Sequence, residues 1–250
     1  MFIIYTYMIN QISCGDCFEF LPEIEENSID LILIDPPYLI SKDSNFKKTS
    51  ESTPDELKKK YNISIDFGDW DKEAFNWENL FFEFYRVLKT GGTLLIFYDI
   101  WKSTELKILA DKFKFKQPRV CSWIKTNPVP INSKINYLSN STEYFFTFVK
   151  GSKPTFNSVY DNGLYKFPIC HGKERFNHPT QKPLALIESL VEKHSNIGDI
   201  VLDTFAGTFT TALACKNLDR KWICIEKEQD FFEIGKKRLD SKTFSNSINT

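Results

Sequence analysis

The stretch Ser28-Ile29-Asp30-Leu31-Ile32-Leu33-Ile34-Asp35-Pro36-Pro37-Tyr38 constrains the fold more than any other part of the chain. A short apolar run of branched residues reads as a buried strand. Two prolines end it, because a proline cannot donate to a sheet ladder. Asp35 then stands at the carboxyl end of a strand, where open α/β sheets place their ligands.

The rest of the chain alternates in the same way. Apolar residues at helical spacing (Phe75, Leu80, Phe81, Phe84, Val87, Leu88) predict a helix over 73–89, stopped by Gly91-Gly92. Strands are expected at 93–98, 120–125, 143–150, 200–203 and 222–225. Helices are expected over 183–194, from about Thr210, and over 228–239. This alternation predicts an α/β protein with a largely parallel sheet. The 250 residues, 42% hydrophobic and 26% charged, suit one globular domain and exclude global disorder. The polar, lysine-rich stretch 41–62 reads as a long loop, 151–177 carries little periodicity, and 241–250 reads as a disordered tail.

Charge is unevenly spread. The chain as a whole has a net charge of −1, yet 112–182 holds twelve basic residues against three acidic ones. A basic portion of that kind suits a polyanion, although solvated surface lysines would give the same count. Six cysteines without a secretory signal suggest a reducing, cytoplasmic protein. The apolar opening Met1–Ile9 lacks a basic flank and a cleavage site, and falls far short of the ~20 residues that span a bilayer. Cys14-Gly15-Asp16-Cys17 has no second pair at zinc spacing, and His171, His178 and His194 form no ligand pattern. No metal site is therefore expected.

Two motifs carry chemistry. In Val201-Leu202-Asp203-Thr204-Phe205-Ala206-Gly207-Thr208-Phe209-Thr210-Thr211 a strand enters a glycine turn and then a helix, and Glu226 ends the next strand 23 residues after Asp203. Such a turn lets backbone approach a nucleoside, and a carboxylate about twenty residues on suits ribose hydroxyls. In Asp35-Pro36-Pro37-Tyr38 the carboxylate and the Pro36 carbonyl are two acceptors for one planar amine, and Pro36 brings no competing N–H. Tyr38 adds a stacking face worth ~1–3 kcal/mol per base. The thiols are not needed as nucleophiles.

With His178-Pro179-Thr180-Gln181-Lys182-Pro183, Trp123-Ile124-Lys125-Thr126-Asn127-Pro128 and Gly15-Asp16-Cys17, these motifs resemble the DNA amino-methyltransferases of the circularly permuted β class. There the DPPY motif comes first and the FxGxGTT motif lies near the carboxyl end. The resemblance spans Gly15 to Leu239. It implies a permuted Rossmann-like fold with a mixed, mostly parallel seven-stranded sheet and helices on both faces. It also implies S-adenosylmethionine as cofactor and double-stranded DNA as partner. A homodimer and a cognate restriction endonuclease are further partners it suggests.

Carried over by position, Asp35, Pro36, Pro37 and Tyr38 are the catalytic residues. Asp16 and Cys17 meet the cofactor adenine, and Glu226 its ribose. Asp203, Phe205, Gly207, Thr208, Thr210 and Thr211 line its sugar and methionine, with Asp35 beside the methyl. Thr180, Gln181 and Lys182 close over the amino-acid part. The basic portion about 112–182 faces DNA, with target recognition expected in 150–177 and 41–62. Asp35, and the similarity of Ile65–Asp71 to small adenine-methylating members, favour adenine N6 over cytosine N4. One departure stands out: Phe209 replaces the second glycine of the cofactor turn. That substitution leaves open a catalytically weakened DNA-binding relic.

Overall fold

The computed structural model describes residues 6–37, 76–129, 139–176 and 180–241. The chain divides into one unit of Met1–Pro36 with Asn76–Thr250 and another of Pro37–Phe75. The sheet belongs to the first unit. Tyr38, the expected loop at 41–62, Ile65–Asp71, His178 and Pro179 lie outside the described residues.

At the centre lies β2 (Ile29–Ile34), buried at every position except Asp30. β3 (Leu88–Phe97) and β7 (Ile200–Asp203) flank it, both parallel. An unbroken apolar run is what a parallel strand covered on both faces requires. Asp30 is the exception because its carboxylate accepts the Ile200 N–H at 2.9 Å and the Lys89 ammonium at 2.7 Å. Beyond β7 come β8 (Lys221–Glu226) and β1 (Gln11–Cys14), again parallel. Beyond β3 lie β5 (Thr142–Val149), antiparallel, then β4 (Lys116–Lys125), then β6 (Leu164–Phe167). The order is β1-β8-β7-β2-β3-β5-β4-β6, eight strands where seven were expected, with β5 alone reversed.

The helices are α1 (Cys17–Phe20), α2 (Trp77–Val87), α3 (Ser103–Lys112), α4 (Leu184–His194), α5 (Thr210–Asn217) and α6 (Gln229–Asp240). On one face Leu186, Ile187, Leu190 and Val191 of α4 pack on Leu31, Leu33, Leu95, Phe97, Trp123, Phe145 and Tyr165. On the other face Phe81 of α2 meets Phe113, Phe115 and Phe148. Much of the aromatic content is thus core. No helix of the described residues is long and apolar enough to cross a membrane.

Several elements differ from expectation, among them α1 and α3, where no helix was expected. α2 ends at Val87, and Gly91-Gly92 lie inside β3 instead of stopping the helix. Neighbouring backbone selects them: a Cβ at Gly92 would come within 2.8 Å of the Asp30 carbonyl oxygen, and one at Gly91 within 2.8 Å of that of Lys153. β1 and β6 are four-residue strands at the two edges, too short to show a period. Tertiary contacts hold β6, through Tyr165 buried under α4 and through Trp123 Nε1, which donates to the Phe167 carbonyl at 2.9 Å.

Trp123→Phe removes that hydrogen bond and part of the packed ring. It is expected to cost about 2–4 kcal/mol. Amide exchange should speed up in β6 and stay unchanged in β2 and β7.

Candidate active site

The carboxyl ends of β1, β8, β7, β2 and β3 share one end of the sheet, since all five run the same way. Asp35 follows β2, Asp203 ends β7 and Glu226 ends β8. Gly15 and Asp16 follow β1 beside Glu226: the Gly15 N–H donates to the Glu226 carbonyl at 2.9 Å. Asp16 caps α1 by accepting the Phe18 N–H at 3.0 Å, and pairs with Lys227 at 3.1 Å. Cys17, behind it, is buried, which pushes its thiol up to about 12. All six cysteines are free thiols, and among the described residues no three His, Cys, Asp or Glu side chains cluster as metal ligands would.

The turn after β7 is tied down by carboxylates. Asp203 accepts the Phe205 N–H at 3.0 Å and the Thr211 hydroxyl at 2.5 Å. Glu226 accepts the N–H of Gly207 at 2.6 Å and of Glu228 at 2.8 Å. Burial, and then the nearby charges of Asp35 and Glu226, raise Asp203 to about 7 against its two hydrogen bonds. Glu226 is raised too, chiefly by burial. The end of the sheet therefore presents acidic groups short of positive charge.

Phe209 adopts the left-handed conformation (φ +58°, ψ +39°) that normally suits glycine. Its ring is fully buried and packs edge-on against Phe232 of α6, with centroids 5.7 Å apart. Beneath it lies Gly235, where a Cβ would come within 2.3 Å of the Phe209 ring. A glycine inside α6 makes room for a phenylalanine in the turn. The left-handed backbone costs of order 1–3 kcal/mol, and burying the ring offsets a cost of that size.

Arg238, three residues on and 2% exposed, donates through Nη1 to the Thr208 carbonyl at 3.2 Å and the Thr210 hydroxyl at 2.8 Å. The hydroxyl of Thr208 lies 3.4 Å from the same nitrogen. An arginine on the buried face of a helix is a sequence signal for such a tie. The sequence reading did not use it.

The segment before α4 makes contacts of its own within the protein. Gln181 accepts the Phe176 N–H at 3.0 Å and donates to the Glu174 carbonyl at 2.8 Å, bracing 174–176. Lys182 turns to the end of β2: its ammonium donates to Asp35 Oδ2, stands 3.3 Å from Glu143 Oε2, and lies 5.0 Å from the Phe97 ring centroid. Glu143 in turn pairs with Lys125 at 2.8 Å. Thr180 lends its carbonyl to the same ammonium at 3.5 Å.

Among the described residues, members of the basic portion lie at several places in the sheet. Lys125 and Lys182 are inside this network, and Lys150 donates to the Tyr85 carbonyl at 2.7 Å. Lys116 and Arg119 begin β4, opposite Val149 and Thr147, at the far end of the sheet from Asp35. Lys166 and Arg175 are exposed, and Lys166 pairs in register with Ile124, near the Lys125 end of β4.

A strand-ending carboxylate followed by proline, set beside a glycine turn on a mostly parallel sheet, is the layout of an α/β protein that places its ligands at the carboxyl ends of its strands. Comparison with known proteins agrees. A family model described as "DNA methylase" matches residues 29–237. The type II methyltransferase M2.MboI of Moraxella bovis is 31% identical over 92% of this chain and 87% of that protein. M.HpaI of Haemophilus parainfluenzae is 32% identical over 94% and 76%. The crystal structure of an M1.HpyAVI–SAM complex superposes with TM-score 0.69 at 29% identity, covering 92% of this chain and 99% of that one. The chain belongs to the DNA methylase family. It is a DNA methyltransferase whose methyl donor is S-adenosylmethionine.

Gly235→Ala is expected to destabilise the protein by about 1–3 kcal/mol through overpacking against Phe209. In a Phe209→Gly background the same change is expected to cost less, with the Thr208 backbone carbon, 2.9 Å from the added Cβ, still opposing it. A double-mutant cycle on denaturant midpoints reads the difference.

Proposed function

We propose that this chain transfers the methyl group to N6 of an adenine flipped out of a specific double-stranded DNA sequence. The observation that supports this best is Asp35-Pro36 at the end of β2, beside the Asp203 turn of β7. Asp35 and the Pro36 carbonyl supply two acceptors suited to one amine. The donor set fits a cationic cofactor: the carboxylates of Asp203 and Glu226, raised chiefly by burial, are groups whose ionised form a ligand carrying a sulfonium and an ammonium would favour.

In this reading Asp16, Cys17, Asp203, Phe205, Gly207, Thr208, Thr210, Thr211 and Glu226 hold the cofactor, while Thr180, Gln181 and Lys182 border it. S-adenosylmethionine, when bound, supplies an electrophilic methyl group. An aromatic amine is a weak nucleophile because its lone pair is delocalised into the ring. Asp35 and the Pro36 carbonyl, each accepting one N–H, favour a pyramidal nitrogen and stabilise the positive charge that grows on it. One N–H proton is then lost to solvent. Holding both reactants in line lowers the barrier further. Extruding the base costs a few kcal/mol, which stacking on Tyr38 offsets.

Exposed Lys166 and Arg175, with Trp101 standing 89% exposed just after β3, are candidates for DNA contact. The type II designation of the relatives supports a place in a restriction–modification system, with a cognate endonuclease as partner. A homodimer and a cytoplasmic setting belong to the same reading.

Incubation with methyl-labelled S-adenosylmethionine and unmethylated DNA, followed by digestion to nucleosides, tests it. Label is expected in N6-methyladenine; label in N4-methylcytosine overturns the choice of base. Asp35→Ala should lower transfer by about 10²–10³ and leave cofactor binding in place. Asp203 holds a proton below about 7, and a cationic ligand favours its ionised form. Cofactor affinity should therefore fall as the pH drops through 7, by up to about tenfold per unit for each proton released. Asp203→Asn should flatten that dependence, leaving the part due to Glu226.

A further inference from the structure

The Asp35–Lys182–Glu143–Lys125 network asks for an explanation that a cofactor contact does not give. The Lys182 side chain is 5% exposed, so its ammonium is nearly out of water. Burial alone would push its pKa down, yet the carboxylates of Asp35 and Glu143 raise it above the ordinary lysine value. Glu143 is held below the carboxylate range, because Lys182 and Lys125 outweigh its own burial. Lys182 and Glu143 are thus held in their charged forms, Lys182 between the two carboxylates and Glu143 between the two ammonium groups. A buried ion pair is weak evidence for stability, since desolvation consumes most of the Coulomb gain. Its value lies in fixing geometry.

Four separate elements deliver the members: Asp35 from the end of β2, Lys182 from the residues before α4, Glu143 from the start of β5 and Lys125 from the end of β4. Neighbouring acidic groups make a cation there necessary. Asp203, one strand away, already feels the Asp35 charge. A carboxylate crowded in this way either takes up a proton, which makes it a weaker acceptor and adds a competing O–H donor, or turns aside from the amine.

We propose that Lys182, braced by Glu143, is a positioning residue for methyl transfer. It occupies one oxygen of Asp35 and keeps the carboxylate ionised, so that the other oxygen, with the Pro36 carbonyl, faces the two N–H groups of the target amine. Glu143 acts one step further out, holding the ammonium between two carboxylates so that it cannot swing into solvent. This assignment rests on the proposed amine-methylating role of Asp35 and adds two residues to it. It also separates Lys182 from the amino-acid end of the cofactor, where the family resemblance had placed it.

The test compares wild type with Lys182→Met, Lys182→Arg, Glu143→Gln and Lys182→Met/Glu143→Gln. Labelled methyl transfer to unmethylated DNA is measured at saturating cofactor and DNA, alongside the cofactor Kd by calorimetry and the melting temperature. Lys182→Met is expected to lower kcat at least 30-fold while the cofactor Kd changes less than threefold. Lys182→Arg should recover most of kcat by restoring the cation, and Glu143→Gln should lower kcat several-fold with Kd unchanged. The double variant leaves no unpaired Glu143 charge, so if Lys182→Met alone fails to fold, the double variant reports the loss of kcat. A Kd weakened tenfold or more with kcat preserved would overturn the proposal and return Lys182 to the cofactor, as would unchanged kcat in both lysine variants. If wild type itself labels no DNA base, the functional reading fails, whereas an active wild type with unaffected variants sinks this inference alone.

Discussion

β2 is paired in parallel on both sides, and the chemistry at its end follows from that. A strand with parallel neighbours must be apolar on both faces, so its first polar position after Asp30 is Asp35, where the sheet stops. Parallel pairing also brings the end of β7 to the same edge, which sets Asp203 one strand away from Asp35. The strand ends are therefore held by buried, doubly paired strands. Catalytic groups placed this way are positioned more exactly than groups carried on loops alone.

The same arrangement concentrates acidic groups. Asp16, Asp35, Asp203 and Glu226 follow or end four of the five strands that run together, and burial raises Asp203 and Glu226. Two kinds of partner relieve this crowding. Backbone N–H groups and the Thr211 hydroxyl satisfy Asp203 and Glu226 while leaving them short of positive charge. A full cation, Lys182, sits on Asp35. That asymmetry suits a site where one carboxylate must be ready before the cofactor arrives and the others interact with the positive charge the cofactor brings.

Around the turn of β7, a residue that looks damaging alone is accommodated by its surroundings. Phe209 in a left-handed conformation is costly, and Gly235 within α6 is unfavourable for a helix. Together they make a ring seated on a helix backbone, and Arg238 on the same helix face ties Thr208 and Thr210. The turn is thus locked to α6 from beneath. This leaves the relic reading without the structural support that Phe209 gave it in sequence.

Much was legible from sequence alone. The buried strand at Ile29–Ile34, the helix–strand alternation, the turn at Asp203–Thr211 and the acidic end of β8 all follow from local rules: apolar runs, proline and glycine stops, and fixed spacing between a turn and a carboxylate. The short edge strands β1 and β6 were not legible, because four residues hold no period and their pairing comes from distant partners. Nor could spacing alone show that Lys182 meets Asp35 and Glu143, 147 residues and 39 residues away along the chain, or that Gly235 exists to admit Phe209. Sequence determined which chemistry the strand ends carry, because backbone period and chain breaks are local properties. Tertiary structure alone decided which charges meet there, because a buried ammonium is committed by the carboxylates packed around it.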